Sequence, residues 1–162
     1  MLLISDTHGY CGPEILKHAS KCDEVWHAGD WGDINHFKRL MSDCKLRGVY
    51  GNIDDPQIRK VFPEELYFET SGLKVYMTHI GGYPGRYKPQ VKRRLQELKP
   101  DLYICGHSHI CRVVRDNSLG LMHINPGAIG LKGFHQKRTM MRFNIDNGRL
   151  IDVQLLEYDK KL

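Results

Sequence analysis

The sequence predicts an α/β fold of two stacked, mixed β-sheets covered by helices. The first half alternates short apolar runs with helix-like stretches in a β-α-β-α-β order, which implies parallel strands joined by right-handed crossovers. The second half is mostly β, its runs separated by turn dipeptides. The apolar runs also end repeatedly in Asp, His or Asn, as buried strands do not normally do, whereas strands converging on one metal centre would.

The elements follow in order. Leu2–Ser5 reads as a strand, and Pro13–Ser20 as a helix with Pro near its first turn. Glu24–Ala28 is a second strand. Asp33 suits the N-cap of a helix reaching about Cys44, with Ile34, Phe37, Leu40 and Met41 on one face. Arg47–Tyr50 is a third strand. Glu65–Thr70 and Leu73–Thr78 flank Ser71-Gly72, a hairpin signal. A helix runs from about Pro89 to Leu98 and ends at Pro100, and Asp101–Cys105 is again a strand. Arg112–Arg115, Leu119–Ile124, Thr139–Ile145 and Leu150–Glu157 complete the strands, with turns at Asp116-Asn117 and Asn147-Gly148.

At 162 residues the default is one domain spanning 1–162, large enough for a real core. Hydrophobic residues are 41% and charged residues 27%, a soluble globular composition. No apolar run approaches the roughly 20 residues of a membrane helix. Leu2–Ile4 is too short, and lacks the preceding basic residues, for a signal peptide. The expectation is a cytoplasmic protein with no membrane partner. The five cysteines are odd in number and none pairs at C-x-x-C spacing, so reduced thiols fit best. Cys105 and Cys111 flank the Gly106–His109 turn, but Cys105 lies in an apolar run, where free Cys acts as a small hydrophobe. The net charge of +5 mildly favours anionic partners. Lys88, Lys92, Arg93 and Arg94 read as a solvated helix face, and no RNA-binding aromatic signature or helix-turn-helix pattern is present. Nucleic acid is compatible as a partner but not indicated.

The chemistry lies at the strand ends. Asp6 and His8 follow the first run, Asp30 the second, Asn52 the third, His79 the run ending at Thr78, and His107 and His109 the run ending at Cys105. In open α/β sheets, sites form at the carboxyl ends of strands. Two Asp, one Asn and four His, with no thiolate, form a nitrogen–oxygen donor set suited to Mn, Fe, Ni or Zn rather than to an all-oxygen Mg or Ca cage. Seven donors are too many for one first-row ion and suit two, with a carboxylate bridging. Two metals roughly 3.5–4 Å apart activate a water and clamp the oxygens of an in-line phosphoryl displacement. A metal-bound hydroxide is then the nucleophile, so no Ser or Cys nucleophile is needed.

The pattern D-T-H, G-D, G-N-x-D, an isolated His and G-H-S-H resembles the calcineurin-like metallophosphoesterases, most of all their small single-domain prokaryotic branch of metal-dependent phosphodiesterases. The resemblance runs from Leu2 to about Gly127. It implies a four-layer αββα sandwich and two divalent ions, most often manganese. It implies that Asp6, His8, Asp30 and His109 hold one ion, that Asp30, Asn52, His79 and His107 hold the other, and that Asp30 bridges. The hydroxide would be held among Asp6, Asp30 and Asn52. The expected activity is hydrolysis of a small phosphodiester or phosphoester, a diester in preference to a monoester, and a homodimer or homotetramer is compatible. One departure stands out. Larger relatives carry an acid His directly after the Asn, and here that position is Ile53.

Other residues are open at this level. Asn52, Asp54, His135 and Arg138 are candidate substrate contacts, and Asp54 reads equally as a residue that orients its loop. His135 and Arg138 sit in a Gly-rich basic stretch, Gly130–Arg138, that reads more simply as an exposed polar loop. His27 reads as a satisfied core histidine, with a contact to a metal ligand as the alternative, and His123 lies on a strand. Ile80–Tyr87, directly after His79, suits a loop at the mouth of the site. The rival function is a scaffold or protein-interaction subunit, since the resemblance includes the phosphoesterase-fold subunit of the retromer coat. The intact ligand set argues for the enzyme.

Overall fold

The computed structural model describes residues 1–160. In chain order its elements begin β1 (Leu2–Ile4), α1 (Pro13–Ala19), β2 (Glu24–His27), a 3₁₀ turn (Ile34–Phe37), α2 (Lys38–Asp43), β3 (Lys45–Gly48) and α3 (Pro56–Val61). They continue with β4 (Glu65–Thr70), β5 (Leu73–Thr78), α4 (Pro89–Leu98), β6 (Leu102–Ile104), β7 (Cys111–Asp116), β8 (Leu121–Pro126), β9 (Lys137–Asp146) and β10 (Arg149–Asp159). Two five-stranded sheets result, ordered β10-β9-β1-β2-β3 and β4-β5-β6-β8-β7. β1, β2 and β3 run parallel, as do β5, β6 and β8, while β9, β10, β4 and β7 add antiparallel pairings.

Of the strands that lead to the candidate ligands, β1, β2 and β6 are buried throughout and β5 all but Lys74, which is why they read as apolar runs, while β3 is part-exposed at the sheet edge. With the period of two along β1 and β2, Leu3 and Trp26 point between the sheets, where they meet Phe68, Val75, Met77, Leu102, Ile104 and Phe143. Leu2, Ile4 and Val25 point the other way, onto Ile15, Ala19, Phe37, Leu40 and Ile58 of the helical cover. On the far side, Val91 and Leu95 of α4 pack on Tyr76, Tyr103 and Leu121. The layers are therefore helices, sheet, sheet, helix: the αββα sandwich. Among the described residues no helix is long and apolar enough to cross a membrane.

Three elements differ from the sequence expectation. β3 starts two residues early because its pairing with β2 runs from Glu24↔Lys45 to His27↔Gly48, so Val49 and Tyr50 already lead into the site. Asp33 does cap, accepting from the Asn35 N–H, but it opens a 3₁₀ turn rather than an α-helix. That tighter turn rotates the following residues, and Met41 ends up exposed rather than in the core. α3 was not expected at all. It is nucleated by Asp55, whose carboxylate accepts from the Gln57 and Ile58 N–H groups, with Pro56 in the first turn, and only Ile58 is buried.

Glu24 is a buried carboxylate at 5% exposure, on the β2–β3 edge of the first sheet. Arg47 Nε donates to it at 2.8 Å and Trp26 Nε1 at 3.0 Å, and Lys45 pairs with its other oxygen. Burial works against the anion, but Arg47, Lys45 and Trp26 outweigh it and hold the pKa at about 2. A depressed carboxylate stabilises the fold above its unfolded pKa of about 4.3, and that stability drains away as pH falls towards 2. Discounted for the solvent-exposed Lys45, the contribution is about 2 kcal/mol at neutral pH. Glu24→Gln should cost about that much in denaturant unfolding at pH 7 and flatten the loss of stability between pH 5 and pH 2. An unchanged acid profile in the variant would contradict this role.

Candidate metal centre

The loops after β1 and β2 carry Asp6, His8 and Asp30 to the loops after β5 and β6, which carry His79 and His109. The ligand atoms of Asp6, His8 and His109 lie within 4.8 Å of one another, as do those of Asp6, Asp30 and His79. The loops are fastened main chain to main chain. The Asp6 N–H donates to the Gly29 carbonyl at 2.9 Å, His8 to Asp30 at 3.0 Å, Gly106 to His79 at 3.0 Å and Gly130 to Asp6 at 3.1 Å. Asp6, His8, Asp30, His107 and His109 all adopt left-handed backbone, with φ between 49° and 68°. That conformation is costly for residues bearing a Cβ, and such strain concentrates at functional sites. Gly29 and Gly51 permit close approaches between the ligand loops: a Cβ would meet the His79 ring at 2.6 Å and Asp30 Oδ1 at 2.0 Å.

The hydrogen bonds show which lone pairs face inward. Asp6 is fully buried, and its Oδ2 accepts from Ser5 Oγ at 2.6 Å and from the His107 N–H at 3.1 Å. Its Oδ1 has no hydrogen-bond partner and lies 3.2 Å from His109 Nε2 and 3.9 Å from His79 Nε2. His79 Nδ1 lies 2.7 Å from the Ala28 carbonyl, which can only accept, so the proton is on Nδ1 and the Nε2 lone pair points at Asp30 Oδ1, 3.1 Å away. His109 is set by a longer chain. His135 Nε2 donates to the Gly130 carbonyl at 3.0 Å, which leaves its Nδ1 to accept from His109 Nδ1 at 3.2 Å. The Nε2 of His109 then also faces inward, 3.3 Å from His8 Nε2. Burial holds the pKa of His135 below the usual histidine value, as this neutral accepting role requires. Asp30 spans the cluster, with Oδ1 towards His79 and Oδ2 3.9 Å from His8 Nε2. Burial opposes its charge, but positive charge at the His79 and His8 nitrogens, together with the Ile53 N–H, holds its pKa below the ordinary range; against its own burial, Asp30 and Asp6 in turn raise the pKa of His79, so a proton on Nε2 answers the demand that a cation would otherwise meet.

Imidazole lone pairs facing bare, buried carboxylate oxygens repel unless a cation lies between them. The orphaned Asp6 Oδ1 and His79 Nε2 mark where the missing positive charge belongs. The nitrogen and oxygen donors fit divalent first-row metals. Two of the seven expected ligands border this cluster rather than lying within it. His107 is exposed, with its ring 5.3 Å from that of His79, and Asn52 is exposed beside His79 on the wall of an adjoining groove.

Several other candidates are committed to contacts within the fold. Asp54 is buried, and its two oxygens accept from the Gly32 and Gly51 N–H groups at 2.9 and 2.7 Å, tying the Asp30 loop to the Asn52 loop. Those bonds commit the carboxylate to the loops rather than to a substrate. Arg138 is not in the basic loop but inside β9, 5% exposed, paired with Glu14 and donating to the Asp159 carbonyl at 3.1 Å. Its guanidinium is thereby used up, and the expected substrate contact is corrected to a structural ion pair. His135 touches the centre through His109 rather than through a substrate. His27 is the satisfied core histidine expected, stacked on Trp31 at 3.6 Å and bonded to Thr7 Oγ1 and the Gly29 N–H. His123 is buried beside Tyr103, and burial pushes its pKa down to about 4.

A family model described as the calcineurin-like phosphoesterase superfamily domain matches residues 1–148. No curated protein matches in sequence. Among solved structures, a Thermotoga maritima protein is 26% identical, with a TM-score of 0.72 over 97% of this chain and 98% of that one. A Streptococcus pneumoniae protein described as a predicted phosphoesterase is 21% identical, with a TM-score of 0.68 over 98% and 95%. The zinc complex of Vps29 from Entamoeba histolytica is 18% identical, with a TM-score of 0.73 over 99% and 100%. With the family model covering most of its length, the chain belongs to the calcineurin-like phosphoesterase superfamily.

Proposed function

We propose that this protein is a binuclear metal-dependent phosphoesterase that hydrolyses phosphodiesters. The observation that carries the reading is the pair of converging ligand triads, in which Asp6 Oδ1 and His79 Nε2 are buried without a hydrogen-bond partner. On this reading Asp6, His8, Asp30 and His109 hold one divalent ion and Asp30, Asn52, His79 and His107 the other, with the two oxygens of Asp30 already turned to opposite sides. Manganese suits this donor set, as do iron, nickel and zinc, and the zinc complex of the Entamoeba relative supports a divalent ion on this fold. When bound, two such ions supply an activated water and neutralise charge on the phosphoryl oxygens.

The chain's own residues do the rest. Ser5, the His107 N–H and the Ile53 N–H fix the carboxylates, Ala28 and His135 fix the imidazole tautomers, and Asp54 holds two ligand loops in register. Lys88 and Lys132 lie close enough for their charges to act on His107 and His8, and so favour an anionic ester at the cluster. Ile53 transfers no proton, so esters with good leaving groups suit the site best. The rival, a scaffold or interaction subunit, draws on the fold likeness to Vps29, and the unbroken set of donors favours the enzyme.

Purified protein supplied with manganese should hydrolyse bis(p-nitrophenyl) phosphate and lose that activity to a chelator. Asp30→Asn should lower turnover by more than the roughly 10–100-fold typical of an outer partner of a metal ligand, with circular dichroism unchanged. Full activity after chelation and in that variant would remove the metal mechanism and leave the scaffold reading standing.

His135→Ala should release His109 from its fixed tautomer and weaken manganese binding by about 10–100-fold in calorimetric titration. His135→Asn, which keeps an acceptor, should restore part of it. If metal affinity stayed constant while KM for the diester rose, His135 would be a substrate contact instead.

A further inference from the structure

On the Asn52 and His79 side of the cluster the surface opens into a groove of about 670 Å³. One wall carries Tyr50 and Arg59, and the other carries Lys88, Arg93 and Arg94 around the start of α4. Four cations thus face the two carboxylates of Glu64 and Glu65, and the pairing is uneven. Glu65 is occupied by Arg94 at 2.9 Å and by the Tyr76 hydroxyl at 2.6 Å. Glu64 accepts from the Tyr50 hydroxyl at 3.0 Å, and Arg93 leans towards Glu97 at 3.8 Å. Arg59 meets no carboxylate among the described residues. Its Nε donates to the Asp54 carbonyl at 2.8 Å, Nη2 approaches the Asn52 carbonyl at 3.5 Å, and the guanidinium lies 4.6 Å over the Tyr50 ring. Lys88 likewise has no ion-pair partner among the described residues, and it precedes a helix whose first turn has no side-chain cap.

This placement matters because of charge balance. Two divalent ions set against Asp6 and Asp30 already carry enough positive charge for one phosphoryl group. The charge of Arg59 and Lys88 is surplus to that group, held on opposite walls of a groove that begins at two of the expected metal ligands. Arg59 is fixed by the very loop that presents Asn52, so it is pre-organised relative to the reacting phosphorus, and a rigid guanidinium recognises phosphate oxygens in a fixed geometry.

We propose that the groove binds a second phosphate of the substrate, so that the preferred ester carries a further phosphate beyond the scissile one, contacted by Arg59 and Lys88. The inference rests on the phosphodiesterase reading of the metal cluster and names the substrate class for it. A nucleotide diester with an additional terminal phosphate has this chemistry.

The test compares two esters with the same scissile bond: thymidine 5′-(p-nitrophenyl phosphate) and the same compound bearing a 3′-phosphate, with manganese. The expected kcat/KM ratio favours the 3′-phosphorylated ester by about tenfold, the worth of one charge-assisted hydrogen bond to phosphate. The ratio should fall towards one in Arg59→Gln and in Lys88→Gln, the second at an exposed site where folding is not at risk. Arg59→Lys should retain part of the preference. A ratio near one in the unmodified protein, or one that survives both substitutions, overturns the inference and leaves the phosphodiesterase reading intact. If neither ester is cleaved, the catalytic reading falls, and calorimetry with thymidine 3′,5′-bisphosphate against thymidine 5′-phosphate decides the groove. Bisphosphate binding about tenfold tighter, and lost in Arg59→Gln, supports the second-phosphate site, whereas equal affinities overturn it.

Discussion

Two carboxylates, Asp6 and Asp30, are buried to within 3% of complete exclusion from solvent, and the rest of the centre follows from making that tolerable. A carboxylate removed from water needs compensation on every lone pair. Asp6 Oδ2 has it from Ser5 and the His107 N–H, and Asp30 Oδ1 receives the Ile53 N–H. What remains uncompensated is confined to one small volume, where Asp6 Oδ1 and the imidazole Nε2 atoms of His79 and His109 converge. The same residues, turned outward by one rotamer, would be an ordinary set of solvated polar side chains. The burial makes them a site with an electrostatic demand.

That burial is enforced by the backbone. Five of the seven expected ligands sit in left-handed turns, a conformation that costs on the order of 1 kcal/mol each for residues with a Cβ. Nothing local favours five such turns. They are held because the loops bond to one another across both sheets and because Asp54 ties Gly32 to Gly51. The apolar clusters on either side of the first sheet, with Trp26 and Trp31 fully buried, keep the strands from shifting to relieve that strain.

Much of this was legible in the sequence, and the parts that were not share a cause. Strand periodicity and the placement of Asp, His and Asn at strand ends yielded two stacked sheets under a cover of helices and the convergence of Asp6, His8, Asp30, His79 and His109, because local patterns report burial directly; the four-layer αββα order came from the family resemblance. The roles of Asp54, His135 and Arg138 depend on partners 22, 26 and 124 residues away, Gly32, His109 and Glu14. No local pattern reports a partner that distant, and the basic loop read from Gly130 to Arg138 is divided by the start of β9 at Lys137. The α3 helix was visible in principle, since Asp55-Pro56 is an N-cap followed by a first-turn proline, but only one buried residue supports its periodicity. The displaced face of α2 has the same origin on a smaller scale, because a 3₁₀ turn and an α-turn differ in pitch while sharing a capping residue.

The position of Ile53 brings the centre and the groove together. Larger relatives place an acid histidine after the asparagine, whereas here the chain offers a backbone N–H to Asp30 and an exposed aliphatic side chain. With a cation at its Nε2, His79 has its one proton committed to the Ala28 carbonyl. A leaving oxygen can still be stabilised by fixed positive charge rather than by a proton, since charge that grows in the transition state is lowered by any cation pre-set beside it. The ions at the cluster would be cations of that kind, while Arg59 and Lys88, set along the groove, would hold the second phosphate and so contribute through binding. On the phosphodiesterase reading, the missing histidine and the surplus groove charge describe one adaptation, in which binding of a second anion along the groove offsets the absent proton donor.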